Sequence, residues 1–274
     1  MTDDKDERIQ IITAANQNYI QYLAALLLSI AQSGKKDISV DVAVIHQGIS
    51  KDTQDYLDSL TQNRINVLWI EPSVSFLREI NAPLEFAYCS PHYFRLLTPF
   101  VLSGHKRAIY LDADTLILDD LSPLWKTELG EYSVAAVQDY LPHIKDAVAN
   151  WREMNLNPYA PYFNSGVLVI DVGRWLAQEI PQKVLRICRE NQDYLMAQQK
   201  WNQYDQYGLN VLFNGNWKQL NRSWNYGSEL PPRNAQILHF IGNGKIGLPK
   251  CQPVFSRLFF SFLNQTSYKN WNPN

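Results

Sequence analysis

The chain has 274 residues, 46% hydrophobic and 19% charged, a globular balance with material for one large domain or two small ones. A formal charge of -2 excludes a strongly electrostatic nucleic-acid binder. The apolar run 23–30 is far shorter than the roughly 20 residues a membrane span needs.

The start of the chain up to Arg8 is acidic and polar, without the basic and apolar regions of a secretory signal. Cys89, Cys188 and Cys251 stand far apart and in no CxxC pair, so they read as free thiols of a reducing, cytoplasmic compartment. Residues 9–15, β-branched and apolar, predict the first strand, and Asn16, Gln17, Asn18 and Tyr19 follow as a polar loop. Helical spacing over 22–30 ends at a Ser33–Gly34 cap. Residues 38–45 alternate and predict strand two. Residues 50–60 predict a helix with Ser50 as N-cap and Tyr56, Leu57 and Leu60 facing inward. Residues 66–70 predict strand three, stopped by Pro72.

From 72 to 90 the pattern is poor and reads as loop with a short helix. Ser90 and Pro91 then start a helix that Phe94, Leu96, Leu97, Phe100 and Val101 carry to Gly104. The run 108–111 predicts strand four and leads directly into Asp112 and Asp114, with apolar residues resuming after Thr115. A turn of helix is expected at 123–125, strand five at 134–138 ending at Asp139, a helix at 143–151 and a loop at 155–161. Asn164, Ser165 and Gly166 read as a turn before an apolar strand at 167–171. Residues 175–194 are helical with an interruption at Pro181, and 205–213 form a helix ending at Asn214 and Gly215. Short strands at 217–220 and 237–240 and a helix at 254–263 complete the chain. Strands alternating with helices predict a mostly parallel α/β sheet. No repeat or linker divides the sequence, so a single domain is expected.

Two carboxylates one residue apart at the C-terminal end of a parallel strand stand where open α/β sheets bind ligands, and they can grip one divalent cation. The same residues also fit the DxDx[TV] opening of haloacid-dehalogenase-type phosphatases, with Asp112 as nucleophile. That fold opens its chain with this strand, whereas here a long βα stretch comes first and no GDxxxD-like pair follows. His239 follows the apolar Ile237 and Leu238, where a histidine is commonly a core residue; it is also a normal third ligand beside two carboxylates. Gly242 and Gly244 make a turn whose amides can approach phosphate, and Lys245 is placed to neutralise it. Asp205 opens a helix, a common cap position. The loop at 16–19 lacks the glycines of a dinucleotide fingerprint or P-loop.

As a set, these stretches resemble glycosyltransferase family 8, which includes glycogenin and bacterial lipooligosaccharide galactosyltransferases. Tyr93, Arg95 and Leu96 match its Y-x-R-L; Tyr110, Leu111, Asp112 and Asp114 its Y-L-D-x-D. Phe163, Asn164, Ser165 and Gly166 match its F-N-[AS]-G; Asp205, Gln206 and Asn210 its D-Q-x-x-x-N; His239, Gly242 and Lys245 its H-x-x-G-x-x-K. The resemblance implies a GT-A fold: one Rossmann-like mixed, mostly parallel sheet flanked by helices, with a nucleotide-binding half at about 9–120, an acceptor-side half at about 121–250 and a helical tail at 251–274. It implies a retaining hexosyltransferase that moves glucose or galactose from a UDP-sugar to a saccharide or other hydroxyl acceptor, with Mn²⁺ or Mg²⁺. Asp112, Asp114 and His239 would bind the metal. Ala14, Asn18 and Tyr19 would contact uridine, with Asn16 standing where close relatives often carry Asp. Gly242 and Lys245 would hold the diphosphate; Arg95, Asn164, Ser165 and Asp205 would touch the donor sugar. Gln206 would lie under the anomeric carbon, and Asp139 is a candidate for orienting the acceptor. A non-catalytic nucleotide-sugar-binding protein is the other reading. The family commonly follows its lysine with Pro-Trp where this chain has Ile246 and Gly247, so no particular acceptor is carried over. The tail beyond Lys250 has few basic residues and gives peripheral membrane docking no support.

Overall fold

A computed structural model describes residues 8–33, 39–62, 64–197 and 204–273. The acidic leader, Gly34 at the expected helix cap and Ile38 at the expected start of strand two lie outside the described residues. In chain order the first elements are β1 (Ile9–Asn16), α1 (Ile20–Ser33), β2 (Val40–Gln47), α2 (Lys51–Leu60), β3 (Asn66–Ile70), α3 (Val74–Glu79) and α4 (Thr98–Val101). Next come β4 (Arg107–Asp112), β5 (Thr115–Ile117), α5 (Ser122–Trp125), β6 (Val134–His143), α6 (Ile144–Ala147) and β7 (Pro161–Asp171). Then follow α7 (Val172–Ala177), α8 (Ile180–Glu190), α9 (Gln192–Ala197) and α10 (Tyr204–Phe213). The last are β8 (Lys218–Gln219), β9 (Tyr226–Gly227), β10 (Ile237–His239) and α11 (Pro253–Leu263). Hydrogen bonding orders one sheet β3-β2-β1-β4-β7-β6-β8 and a second β5-β10-β9. This is the expected mixed, mostly parallel α/β architecture.

The chain divides into two compact units. One comprises the described residues of Met1–Glu71, Leu111–Thr127 and Arg222–Asn274; the other comprises those of Pro72–Tyr110 and Glu128–Asn221.

In the first unit β1, β2 and β3 pair in parallel. The alternation expected of strand two is not realised: Val42, Ala43, Val44 and Ile45 are all buried, as strands of parallel sheets commonly are. Ser50 caps α2 as expected, but Gln54 joins Leu57 as its buried residue, leaving Tyr56 and Leu60 partly exposed. Helix α1 is apolar nearly all round and is buried nearly all round, from Tyr22 to Ala31. Within it, Ser29 donates to Leu26 O (2.7 Å) and accepts from Ile117 N (3.0 Å), tying β5 to the helix. Tyr22, Leu116, Phe240, Phe255, Phe259 and Leu263 pack α1, β5, β10 and α11 into one core, each side chain contributing about 1.5–3 kcal/mol by leaving water. Strand β10 runs antiparallel to β5 and parallel to β9.

In the second unit β7 is buried along its length and runs antiparallel to β6. The register jumps from Ala136↔Leu168 to Val137↔Asn164, so it skips Ser165, Gly166 and Val167. The expected turn at 164–166 is therefore a bulge inside a strand. A second irregularity lies between Gln138 and His143 in β6, which carries Asp139 within the strand instead of ending there. Helix corrections follow from local chemistry. Residues 91–97 form a 3₁₀ helix, with α4 after it, in place of one α-helix. The expected helix at 143–151 is the four residues of α6. The stretch 175–194 is three helices; the break at Gln178 and Glu179 puts Glu179 at φ +53° and Pro181 in the first turn of α8.

Candidate functional site

Strand β4 ends at Asp112, and the chain turns through Ala113 and Asp114 into β5. Thr115 closes this turn by donating to Asp112 O (2.8 Å). The β5–β10 pairing sets His239 opposite Thr115, and Phe240 N donates to Asp114 O (2.9 Å). Two residues far apart in sequence thus meet. His239 Nε2 lies 3.2 Å from Asp114 Oδ1 and 3.7 Å from Asp112 Oδ2. One ligand atom from each residue can be chosen so that all three lie within 4.8 Å of one another.

His239 and Asp114 are buried, at 3% and 7% exposure, while Asp112 is partly open. Burial works to raise the Asp114 carboxyl. The hydrogen bond and charge of His239 and the Lys245 ammonium (3.3 Å) outweigh it and bring the group down to about 2. Burial likewise works to lower the His239 imidazole, and the Asp114 and Asp112 carboxylates hold it above its ordinary value. Two carboxylates and an imidazole in this arrangement are a donor set that fits a divalent cation, which would displace the proton the imidazole otherwise carries.

Lys245 Nζ also donates to the Tyr19 hydroxyl and sits 4.6 Å from the centre of its ring. Tyr19 closes a 3₁₀ turn, Gln17–Tyr19, capped by Asn16, whose Oδ1 accepts from Asn18 N (3.0 Å). Asn18 is exposed, and Ala14 and Asn16 are partly exposed at the end of β1. Gly242 has φ +53°, a conformation that favours glycine, and no atom lies within 4 Å of where its Cβ would be. Of the expected residues of the first unit, Tyr19, Asp112, Asp114, His239 and Lys245 form one chain of contacts.

The second unit holds a separate polar network. Arg95 Nε lies 2.6 Å from Asp205 Oδ2, with side-chain exposures of 4% and 1%. The same guanidinium donates to Ser165 O and lies 4.5 Å from the Tyr110 ring centre. Asp205 is thus an ion-pair partner in the first turn of α10, where the sequence also allowed a simple cap. Gln206 Oε1 accepts from Ser165 N (3.0 Å) and Oγ (3.3 Å), and its Nε2 donates to Asp139 Oδ2 (3.3 Å). Asn164 Nδ2 donates to that same oxygen (3.1 Å). Asn210 bonds both Phe163 N (2.8 Å) and Phe163 O (2.9 Å), acting as a neighbouring peptide would. Arg95, Asp139, Asn164, Ser165, Asp205 and Gln206 therefore meet, and the β7 bulge is what brings Ser165 to Gln206.

One partner escapes the sequence reading. Asn225 Oδ1 lies 2.9 Å from His239 Nδ1. It precedes β9, a strand of two residues, too short for any periodicity to reveal. The three cysteines are free. Among the described residues no helix is long and apolar enough to cross a membrane.

The sequence profile described as glycosyl transferase family 8 matches residues 10–246. General stress protein A of Bacillus subtilis (strain 168) is 28% identical over 295 residues, covering 98% of this chain and 96% of that protein. A putative glycosyltransferase of Haemophilus influenzae is 26% identical over 222 residues, covering 80% of this chain and 64% of that one. Among solved structures, the galactosyltransferase LgtC with donor and acceptor sugar analogues superposes with TM-score 0.70 at 22% identity, covering 94% of this chain and 96% of that one. The bifunctional glycosyltransferase WbbM gives TM-score 0.76 at 17% identity; this chain is covered to 98% and spans 52% of WbbM. At these identities the superpositions establish the fold.

Proposed function

The chain belongs to glycosyltransferase family 8, and from that premise we propose that it moves a hexose, glucose or galactose, from a UDP-sugar to a saccharide or other hydroxyl acceptor with retention of anomeric configuration. The observation that carries this reading is the Asp112, Asp114 and His239 triad with Lys245 beside it. The GT-A fold and the family place the chain among glycosyltransferases, and the phosphatase reading falls with them.

The chemical difficulty is departure of a diphosphate. Asp112, Asp114 and His239 would hold a divalent cation, Mn²⁺ or Mg²⁺, which would supply positive charge where negative charge develops, usually the main source of rate enhancement in such sites. Lys245 adds a fixed ammonium, held by Asp114 and Tyr19. Ala14, Asn16, Asn18 and Tyr19 take the uridine, and Gly242 gives its backbone to a phosphate. Arg95, Asn164, Ser165 and Asp205 serve the donor sugar, Arg95 chiefly by holding Asp205 and the Ser165 carbonyl.

Gln206 supports the anomeric carbon. Its amide oxygen accepts from Ser165 and its nitrogen donates to Asp139, so it is a poor nucleophile. That supports same-face transfer over a glycosyl-enzyme. Asp139 accepts from both amides and is the candidate for orienting the acceptor. The reading is tested by incubating the chain with individual UDP-sugars and Mn²⁺ and following slow UDP release, so that no acceptor need be known. Turnover of one donor, abolished by EDTA, is expected. Binding of a UDP-sugar with no hydrolysis or transfer would leave a nucleotide-sugar-binding protein instead.

A further inference from the structure

The two ring nitrogens of His239 do different work. Nε2 faces the carboxylates, while Nδ1 faces Asn225 Oδ1 at 2.9 Å. An amide oxygen only accepts, so Nδ1 carries the hydrogen of this pair, and in the neutral ring the lone pair falls on Nε2. That is the tautomer a cation ligand on the carboxylate side requires. With the amide turned round, its NH₂ would donate to Nδ1, and the hydrogen of a neutral ring would sit on Nε2, blocking coordination.

The fold fixes Asn225 on both sides. It is the last residue of the 3₁₀ turn Arg222–Asn225, in which Ser223 O accepts from Gln236 N (2.8 Å) and Ser223 Oγ donates to Gln236 Oε1 (2.6 Å). Immediately after it, β9 pairs with β10, setting Tyr226 opposite Leu238 and Gly227 opposite His239. Ser228 N then donates to His239 O (3.0 Å). At 9% exposure Asn225 meets little competing water. Strand β9 gives Tyr226 to the core, against Phe255, and its pairing with β10 carries the preceding amide to this ring.

We propose that Asn225 is a positioning residue for cation binding, holding His239 as the Nδ1–H tautomer with its ring plane fixed so that Nε2 completes the site with Asp112 and Asp114. This rests on the metal reading above and adds a residue to it. The test is Mn²⁺ affinity of EDTA-stripped protein, measured by the electron paramagnetic resonance signal of free Mn²⁺, with thermal melting of the metal-free chain as a check on folding. Asn225→Ala is expected to weaken Mn²⁺ binding roughly 10- to 100-fold, the usual effect of losing such an outer partner. Asn225→Asp keeps an acceptor at Nδ1 and adds charge, so it binds Mn²⁺ at least as tightly as wild type. A folded Asn225→Ala that binds like wild type overturns the proposal. So does a folded Asn225→Asp that binds more weakly than wild type, which decides the matter even if the alanine variant does not fold. Failure of the wild-type chain to bind Mn²⁺ overturns the metal reading itself and is distinguishable from both.

Discussion

Replacing one carboxylate oxygen of Asp114 by an amide nitrogen keeps the shape of the side chain and removes the charge that His239 and Lys245 both face. Asp114→Asn should therefore abolish metal-dependent UDP-sugar turnover, a loss above ~2 kcal/mol in the barrier. The kcat/KM for donor hydrolysis reads it, and full activity of the variant would refute the charge argument. Ser165 N on the oxygen and Asp139 on the nitrogen leave the Gln206 amide one orientation. Gln206→Ala should then lower kcat more than it raises the donor KM. If steady-state kinetics show only a KM effect, Gln206 binds the donor and does not support the transfer step.

At the scale of elements, α10 approaches α8 closely in the second unit. A Cβ on Gly208 would stand 2.7 Å from Cys188 Sγ and 2.8 Å from Val184 Cγ1. Gly208→Ala gains about 1 kcal/mol of helix propensity but meets overpacking worth about 1–3 kcal/mol against a buried thiol and a stiff β-branched side chain. A net loss is expected in urea unfolding. Gly173→Ala in α7, whose Cβ would meet only Asp171 Oδ1 at 3.6 Å, should be neutral or stabilising in the same assay. Close approaches of this kind are not written in a sequence. What was legible had local causes: the apolar run that becomes β4, the Ser50 cap of α2, the proline opening α8, the polar stop at Asn214 and Gly215. The grouping of Asp112, Asp114 and His239 was legible because the paired carboxylates end a long apolar run and the resemblance to H-x-x-G-x-x-K adds the histidine. What was misread had its cause elsewhere in the chain. Asn164 and Gly166 have turn propensity, yet both lie inside β7, Asn164 paired with Val137 of β6 and Gly166 in the bulge beside it. Strand β9 is defined by its pairing with β10, and the contact of Asn225 with His239 comes with it.

For the molecule as a whole, the first unit is assembled from three stretches of chain. Its core needs the last of them: α11, β10 and β9 cover Tyr22, Ala25 and Leu116. A fragment ending at Thr127 keeps β1 to β5 but leaves that apolar surface in water, and it should not unfold cooperatively. A thermal melt followed by circular dichroism checks this; a sharp sigmoidal transition in the fragment would show that the later stretch is dispensable for the core.

The pairing of β5 with β10 also sets an order of events during translation. Asp112 and Asp114 leave the ribosome long before their imidazole partner has been polymerised. Until residue 239 follows, the nascent chain carries these two acids without the imidazole that faces them in the fold.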